Sequence, residues 1–213
     1  MHYIHRGLAK KKFKENTIPA FMYSFKKRYG IETDIHATKD HEFICFHDFT
    51  LNRIFKKNRS VKNMEYSQIK KISNQNNKPI PLLKDLLKTS KNKYPLFIEI
   101  KPTFSKKLLQ KLLKETSKFS KCIFISFKHK NIYDLLKIKS NAKVGLSFSP
   151  STSIKTIIKK SSNKKINCLI LDKFFLKNKG IQDMKIKKYY YTIKTKSEFN
   201  KYSKNNNLIF ENL

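Results

Sequence analysis

The chain has 213 residues, enough for one domain with a sizeable core, and its 39% hydrophobic and 13% aromatic content exclude a disordered chain. Four glycines are too few for a propeller or a glycine-rich β protein. A net charge of +33, from 48 basic against 15 acidic residues, suits an anionic partner: nucleic acid, anionic lipid or a phosphorylated substrate. Only Arg6, Arg28, Arg53 and Arg59 among the basic residues carry the bidentate fork that nucleic-acid readers favour. Most lysines therefore read as solvated surface, and no dedicated nucleic-acid site is expected.

In chain order, short apolar runs predict strands near residues 3–4, 30–35, 43–46, 96–100, 123–127, 143–148, 168–171, 189–193 and 208–210. Amphipathic helical stripes lie between them. Leu108, Leu109, Leu112 and Leu113 form one; Ile132, Leu135 and Leu136 another; Ile154, Ile157 and Ile158 a third. Pro81 suits the start of a helix through Leu82, Leu86 and Leu87. From residue 100 onward the strand ends recur every 17 to 27 residues, near 127, 148, 171, 193 and 210. Such β–α alternation implies a parallel sheet with right-handed crossovers. With 43–46 set aside as an excursion, eight strands close a TIM (β/α)₈ barrel. An open doubly wound sheet lacks its G-x-G-x-x-G signature. No linker divides the chain, so residues 1–213 are expected to form a single, compact barrel domain. The last strand runs almost to Leu213, leaving no room for a final outer helix.

Cys45, Cys122 and Cys168 are far apart and apolar-flanked, as buried, reduced thiols would be. With no signal peptide before Tyr3 and no run of about 18 apolar residues, a soluble, cytoplasmic protein is expected.

Chemistry concentrates at a few positions. On a strand, residues i and i+2 share a face, so Glu32 and Asp34 project together and would repel without a cation between them. Glu99 and Lys101 repeat the spacing on a later strand. Three carboxylates suit a hard cation, Mg²⁺ or Ca²⁺, rather than zinc. His5 ends the first strand and His47 ends the run at 43–46, both at the rim where barrel active sites form. Two imidazoles could protonate a leaving alcohol and activate an attacking oxygen, while Arg6 could hold a phosphate oxygen. His2, His36, His41 and His129 read as surface or core residues.

Taken in order, His5-Arg6-Gly7, Glu15-Asn16-Thr17, Ala20-Phe21, Gly30-Ile31-Glu32-Thr33-Asp34, Thr38-Lys39-Asp40 and His47-Asp48 resemble the glycerophosphodiester phosphodiesterase family. Leu51 and Arg53, Ile80-Pro81 with Leu83, Glu99 with Lys101, and Ser126-Phe127 continue the resemblance, which is dense over 5–53 and sparse after 127. It implies a TIM barrel, metal at Glu32, Asp34 and Glu99, catalytic His5 and His47, and Arg6 and Lys101 near the phosphate. It further implies cleavage of glycerophosphodiesters to an alcohol and glycerol 3-phosphate, the substrate's neighbouring hydroxyl attacking first to give a cyclic phosphate. Glu15 is expected to order the loop after His5, Asn16 or Thr17 to cap the first helix, and Asp48 to orient His47 or fix its loop. Tyr191-Thr192 stands where the family has Trp-Thr, and Phe210-Glu211 where it has Thr-Asp. The stretch from Arg53 to Pro79 carries no large insert, so an open site is expected. The nearest alternative is a lysophospholipase D-type enzyme on lipid-bearing diesters, the lysines making peripheral contact with an anionic membrane. From another class comes a basic nucleic-acid-binding protein, which leaves the strand carboxylates unexplained. Head group and oligomeric state are not legible.

Overall fold

The computed structural model describes residues 1–9 and 14–213. Among the described residues nine strands run in chain order as β1 Tyr3–His5, β2 Gly30–Ala37, β3 Phe43–Cys45, β4 Leu96–Ile100, β5 Cys122–Ser126, β6 Val144–Phe148, β7 Cys168–Asp172, β8 Lys187–Ile193 and β9 Asn207–Phe210. Eight pair in parallel in the order β1-β9-β8-β7-β6-β5-β4-β2, and β1 also pairs with β2, which closes a TIM barrel. The ninth, β3, folds back antiparallel on β2 through Ile35↔Cys45 and Ala37↔Phe43. That pairing explains why β2 runs two residues past the predicted end: the hairpin supplies partners for Ile35 to Ala37.

The helices are α1 Ile18–Lys26, α2 Asn52–Phe55, α3 Tyr66–Gln75, α4 Leu83–Ser90, α5 Lys106–Glu115, α6 His129–Ile138, α7 Ile154–Ser161, α8 Lys179–Gln182 and α9 Lys196–Tyr202. The three predicted leucine and isoleucine stripes fall on α5, α6 and α7, with Leu109, Leu112, Ile132, Leu135 and Ile157 buried against the sheet. Pro81 lies outside α4 rather than in its first turn. Leu82 is the cap residue, and its N–H donates to Asp85 Oδ2 at 3.3 Å. Residues 211–213, after β9, are not helical.

Strand alternation sorts the core into layers. Outward residues such as Ile4, Ile31, Ile98, Leu146 and Leu169 pack under the helices. Inward residues Tyr3, Phe97, Ile125, Cys168, Ile170, Tyr189 and Ile209 fill the barrel interior. Tyr3 and Phe97 lie with ring centroids 4.1 Å apart, and Tyr189 meets both edge-on. This aromatic plug forms the floor on which the polar site rests. A satellite cluster, including Ile44, Phe46, Leu51, Phe55, Val61 and Ile69, underlies the segment between β3 and α4. All three cysteines are buried and unpaired, and burial pushes their thiols up to about 12. Among the described residues, no helix is long and apolar enough to cross a membrane.

Candidate active site

Just after β1, Arg6 and Gly7 adopt left-handed backbone at φ 56° and 73°. The turn brings the Arg6 side chain back over the barrel, where Nε lies 3.1 Å from Asp34 Oδ2 and Nη1 3.4 Å from Glu15. The Arg6 N–H donates to Glu32 O at 2.8 Å and its carbonyl accepts from Asn16 N–H at 2.8 Å, so the loop is stitched to β2.

Glu32 and Asp34 project inward from β2, and Glu99 projects inward from β4 at the position paired with Asp34. One carboxylate oxygen from each of the three lies within 4.8 Å of the others. All three are buried, at 3%, 1% and 8% exposure, and Glu32 Oε2 has no hydrogen-bond partner among the described residues. Lys101 Nζ reaches Glu99 Oε1 at 2.8 Å and Asp34 Oδ1 at 3.4 Å. Two cations, Arg6 and Lys101, thus face three carboxyl groups in a buried cluster. Burial raises Asp34, but Arg6 and Lys101 outweigh it and hold the carboxyl at about 2. Burial, then Asp34, lifts Glu99 to about 7 against the pull of Lys101. Burial with Asp34 and Glu99 sends Glu32 well above its ordinary value. A buried hard-oxygen cluster with an orphaned acceptor is the donor set a divalent cation satisfies.

His5 and His47 line the same cavity of about 450 Å³, together with Arg6, Glu32, Glu99 and Lys101. Each imidazole has its own carboxylate. His47 Nδ1 donates to Asp48 Oδ1 at 2.6 Å, and Asp48 Oδ2 accepts from Arg53 Nε at 2.6 Å. Arg53 in turn reaches Glu15, so Glu15, Arg53, Asp48 and His47 form one chain of contacts. His5 Nδ1 donates to Glu211 Oε2 at 2.9 Å, and its Nε2 lies 3.9 Å from Glu32 Oε2. A carboxylate can only accept, so in both rings Nδ1 carries hydrogen, which leaves each Nε2 as the free base in the neutral ring. Burial lowers His47 from its ordinary value.

Every site residue expected from the sequence is at the C-terminal mouth, and the structure adds others. Asn16 does not cap α1: its amide donates to Asp34 Oδ2 at 3.2 Å and its carbonyl accepts from Thr33 Oγ1 at 2.8 Å. Thr17 occupies the cap position, but its hydroxyl donates back to Lys14 O, and Pro19 pre-forms the first turn instead. His36, read from the sequence as a surface or core residue, is buried and donates from Nε2 to His47 O at 3.1 Å, which buttresses the His47 backbone. Glu211 had a signal in the sequence, standing where the resemblance expects an aspartate, but its partner His5 lies 206 residues away and is visible only once the barrel closes.

The closed (β/α)₈ barrel thus carries at its mouth a buried acidic triad and two imidazoles, each bound to a carboxylate of its own. The sequence profile of the glycerophosphoryl diester phosphodiesterase family matches residues 5–201, and the chain belongs to that family. A glycerophosphodiester phosphodiesterase from Caldanaerobacter subterraneus subsp. tengcongensis is 31% identical over 157 residues, which are 67% of this chain and 64% of that protein. The match therefore spans less than two thirds of the relative's length. A glycerophosphodiester phosphodiesterase structure from Thermotoga maritima superposes with TM-score 0.82 at 21% identity, covering 99% of this chain and 93% of that one. An Oleispira antarctica phosphodiesterase solved with the product sn-glycerol-3-phosphate gives 0.84 at 17% identity, covering 100% and 92%. At such identities the two structures speak for the fold.

Proposed function

We propose that the protein hydrolyses glycerophosphodiesters to an alcohol and glycerol 3-phosphate, with His5 and His47 as its acid/base pair. Glu32, Asp34 and Glu99 would hold a divalent cation, Mg²⁺ or Ca²⁺, which when bound neutralises phosphate charge and polarises the P–O bonds. The observation that carries the reading is the buried Glu32 oxygen with no partner inside a triad spanning 4.8 Å. Arg6 and Lys101, both lining the cavity, would fix the non-bridging phosphate oxygens. Both imidazoles line the cavity with Nδ1 anchored on a carboxylate, so one ring can take a proton at Nε2 from the attacking hydroxyl as the other gives one to the leaving alcohol. Glu15 and Asp48 support this geometry through Arg53. The product named for the Oleispira antarctica structure agrees with this substrate class. A place in lipid metabolism follows from the substrate, and buried free thiols suit the cytoplasm. The test is a panel of glycerophosphodiesters incubated with and without EDTA, with glycerol 3-phosphate quantified. Turnover abolished by EDTA and by His5→Ala supports the reading; turnover indifferent to both overturns it.

A further inference from the structure

In the closed strand order β8 lies four strands from β4 in either direction, directly across the barrel. Lys194, the residue after β8, lines the cavity and so stands across it from Glu99. The proposed phosphate cations, Arg6 and Lys101, follow β1 and β4, which leaves Lys194 without a part in phosphate binding. Among the described residues its ammonium has one ion-pair partner, Glu211 Oε1 at 3.4 Å, and its side chain is 64% exposed. An ammonium carries three N–H donors, so donors remain for a group entering the cavity from solvent.

The acids lining the cavity are all committed elsewhere. Glu32 and Glu99 belong to the triad with Asp34. Glu15 lies between Arg6 and Arg53. Glu211 accepts from His5 and meets Lys194. Asp172, paired with Tyr191 between β7 and β8, accepts from Phe174 N–H at 2.8 Å and lies outside the cavity lining. Two rings, Phe127 and Tyr191, stand edge-on with centroids 5.8 Å apart. With no third ring and no uncommitted carboxylate among the described lining residues, they do not close a cage around an ammonium group. This side of the cavity therefore gives an anion a cation with spare donors, and gives a cationic head group nothing of comparable strength. In-line displacement places the attacking and leaving oxygens on opposite sides of phosphorus. The triad side suits the glycerol, whose hydroxyls are hard oxygen donors, and the leaving alcohol is then directed towards Lys194.

Resting on the phosphodiesterase reading above, we propose that Lys194 is a specificity-determining residue, selecting glycerophosphodiesters whose alcohol carries a second anionic group, carboxylate or phosphate, over those whose alcohol carries an ammonium group. Lys194 acts by direct contact with that group. A role exerted only through Glu211 and His5 would instead affect every diester alike, which separates the two by experiment.

The test compares diesters of similar size and different end charge on the full chain with metal supplied. Glycerophosphoglycolate ends in a carboxylate, glycerophosphoglycerol phosphate in a phosphate, glycerophosphoethanolamine in an ammonium group, and glycerophosphoglycerol in uncharged hydroxyls. The readout is the ratio of kcat/KM for each anionic diester to that for glycerophosphoethanolamine, taken within one protein so that any general loss of activity cancels. Wild type should favour at least one anionic diester by roughly tenfold at low salt, less as salt is added. Lys194→Gln should lower that ratio at least roughly threefold, through a higher KM for the anionic diester with kcat little changed, and Lys194→Glu should invert it. Lys164→Gln makes the same change of net charge in the loop leading into β7, at the other end of the barrel, and should leave the ratio as in wild type. A wild-type ratio near one for both anionic diesters overturns the proposal. So does a ratio that Lys164→Gln lowers as much as Lys194→Gln, which would assign the preference to the overall charge of +33, or a Lys194→Gln loss of kcat shared equally by all four diesters. Turnover of none of the diesters by wild type, glycerophosphoglycerol included, would be a different failure: it overturns the phosphodiesterase reading and the proposal with it.

Discussion

Two imidazoles held by carboxylates at Nδ1 make the site asymmetric in origin: Asp48 is the neighbour of His47, whereas Glu211 reaches His5 from the last strand. The hydrogen bond from His5 holds the Glu211 carboxyl at about 2, so it is ionised throughout the working range. Glu211→Gln keeps the shape and removes the charge. It should lower kcat roughly 10- to 100-fold with KM changed little, because the anchored ring and not substrate contact is lost; an equal rise in KM would place Glu211 on the substrate instead. Proton linkage gives a second expectation. With Glu32 raised well above its ordinary value and Glu99 at about 7, filling the triad near neutrality must expel protons. Calorimetry in buffers of different ionisation heat should register that release, and metal affinity should climb as pH rises through 7. His36 supplies a stability term. Burial holds it neutral in the native protein down to about 4, while the unfolded residue takes up a proton below about 6.5. The unfolded state binds more protons between these values, so stability falls as pH drops from 6.5 towards 4, by up to about 3 kcal/mol. Urea midpoints in EDTA should show His36→Gln losing that slope.

Among the elements, the β1–α1 loop and the β2–β3 hairpin do most of the positioning. Gly7 sits at φ 73°, and a Cβ there would meet Phe21 Cδ1 at 2.9 Å and Ala20 at 3.1 Å. Gly7→Ala therefore combines left-handed strain with a clash against α1, and should cost about 2 kcal/mol in urea unfolding and displace Arg6 from Asp34. An unchanged midpoint would mean that the loop tolerates repacking. The sequence carried the elements well where periodicity is local. Alternation at Glu32 and Asp34 showed one face of β2, and the leucine stripe at 108–113 showed the buried face of α5. It carried them less well where a long-range partner decides. The extra length of β2 comes from β3, and Asn16 does not cap α1 because its side-chain oxygen, the atom a cap would use, accepts from Thr33 Oγ1 while its amide donates to Asp34.

At the scale of the whole molecule, barrel closure is what makes a site from distant parts. Tyr3↔Ile209 and Ile4↔Phe210 join the two ends of the chain, and the same pairing delivers Glu211 to His5. The βα repeat after Glu99 made the barrel legible before any coordinates, because each outer helix advertises its apolar stripe. The contacts across the closure were not legible, since nothing local ties residue 211 to residue 5. The central claim is that side chains from β2 and β4, remote in sequence, share one cation. Its most direct test follows glycerol 3-phosphate release as Mg²⁺ or Ca²⁺ is returned to EDTA-treated protein, for wild type and for Glu99→Gln. Saturable recovery, with the midpoint moved at least roughly tenfold higher in the variant, is the predicted result. Identical midpoints, or full turnover before any metal is returned, would contradict it.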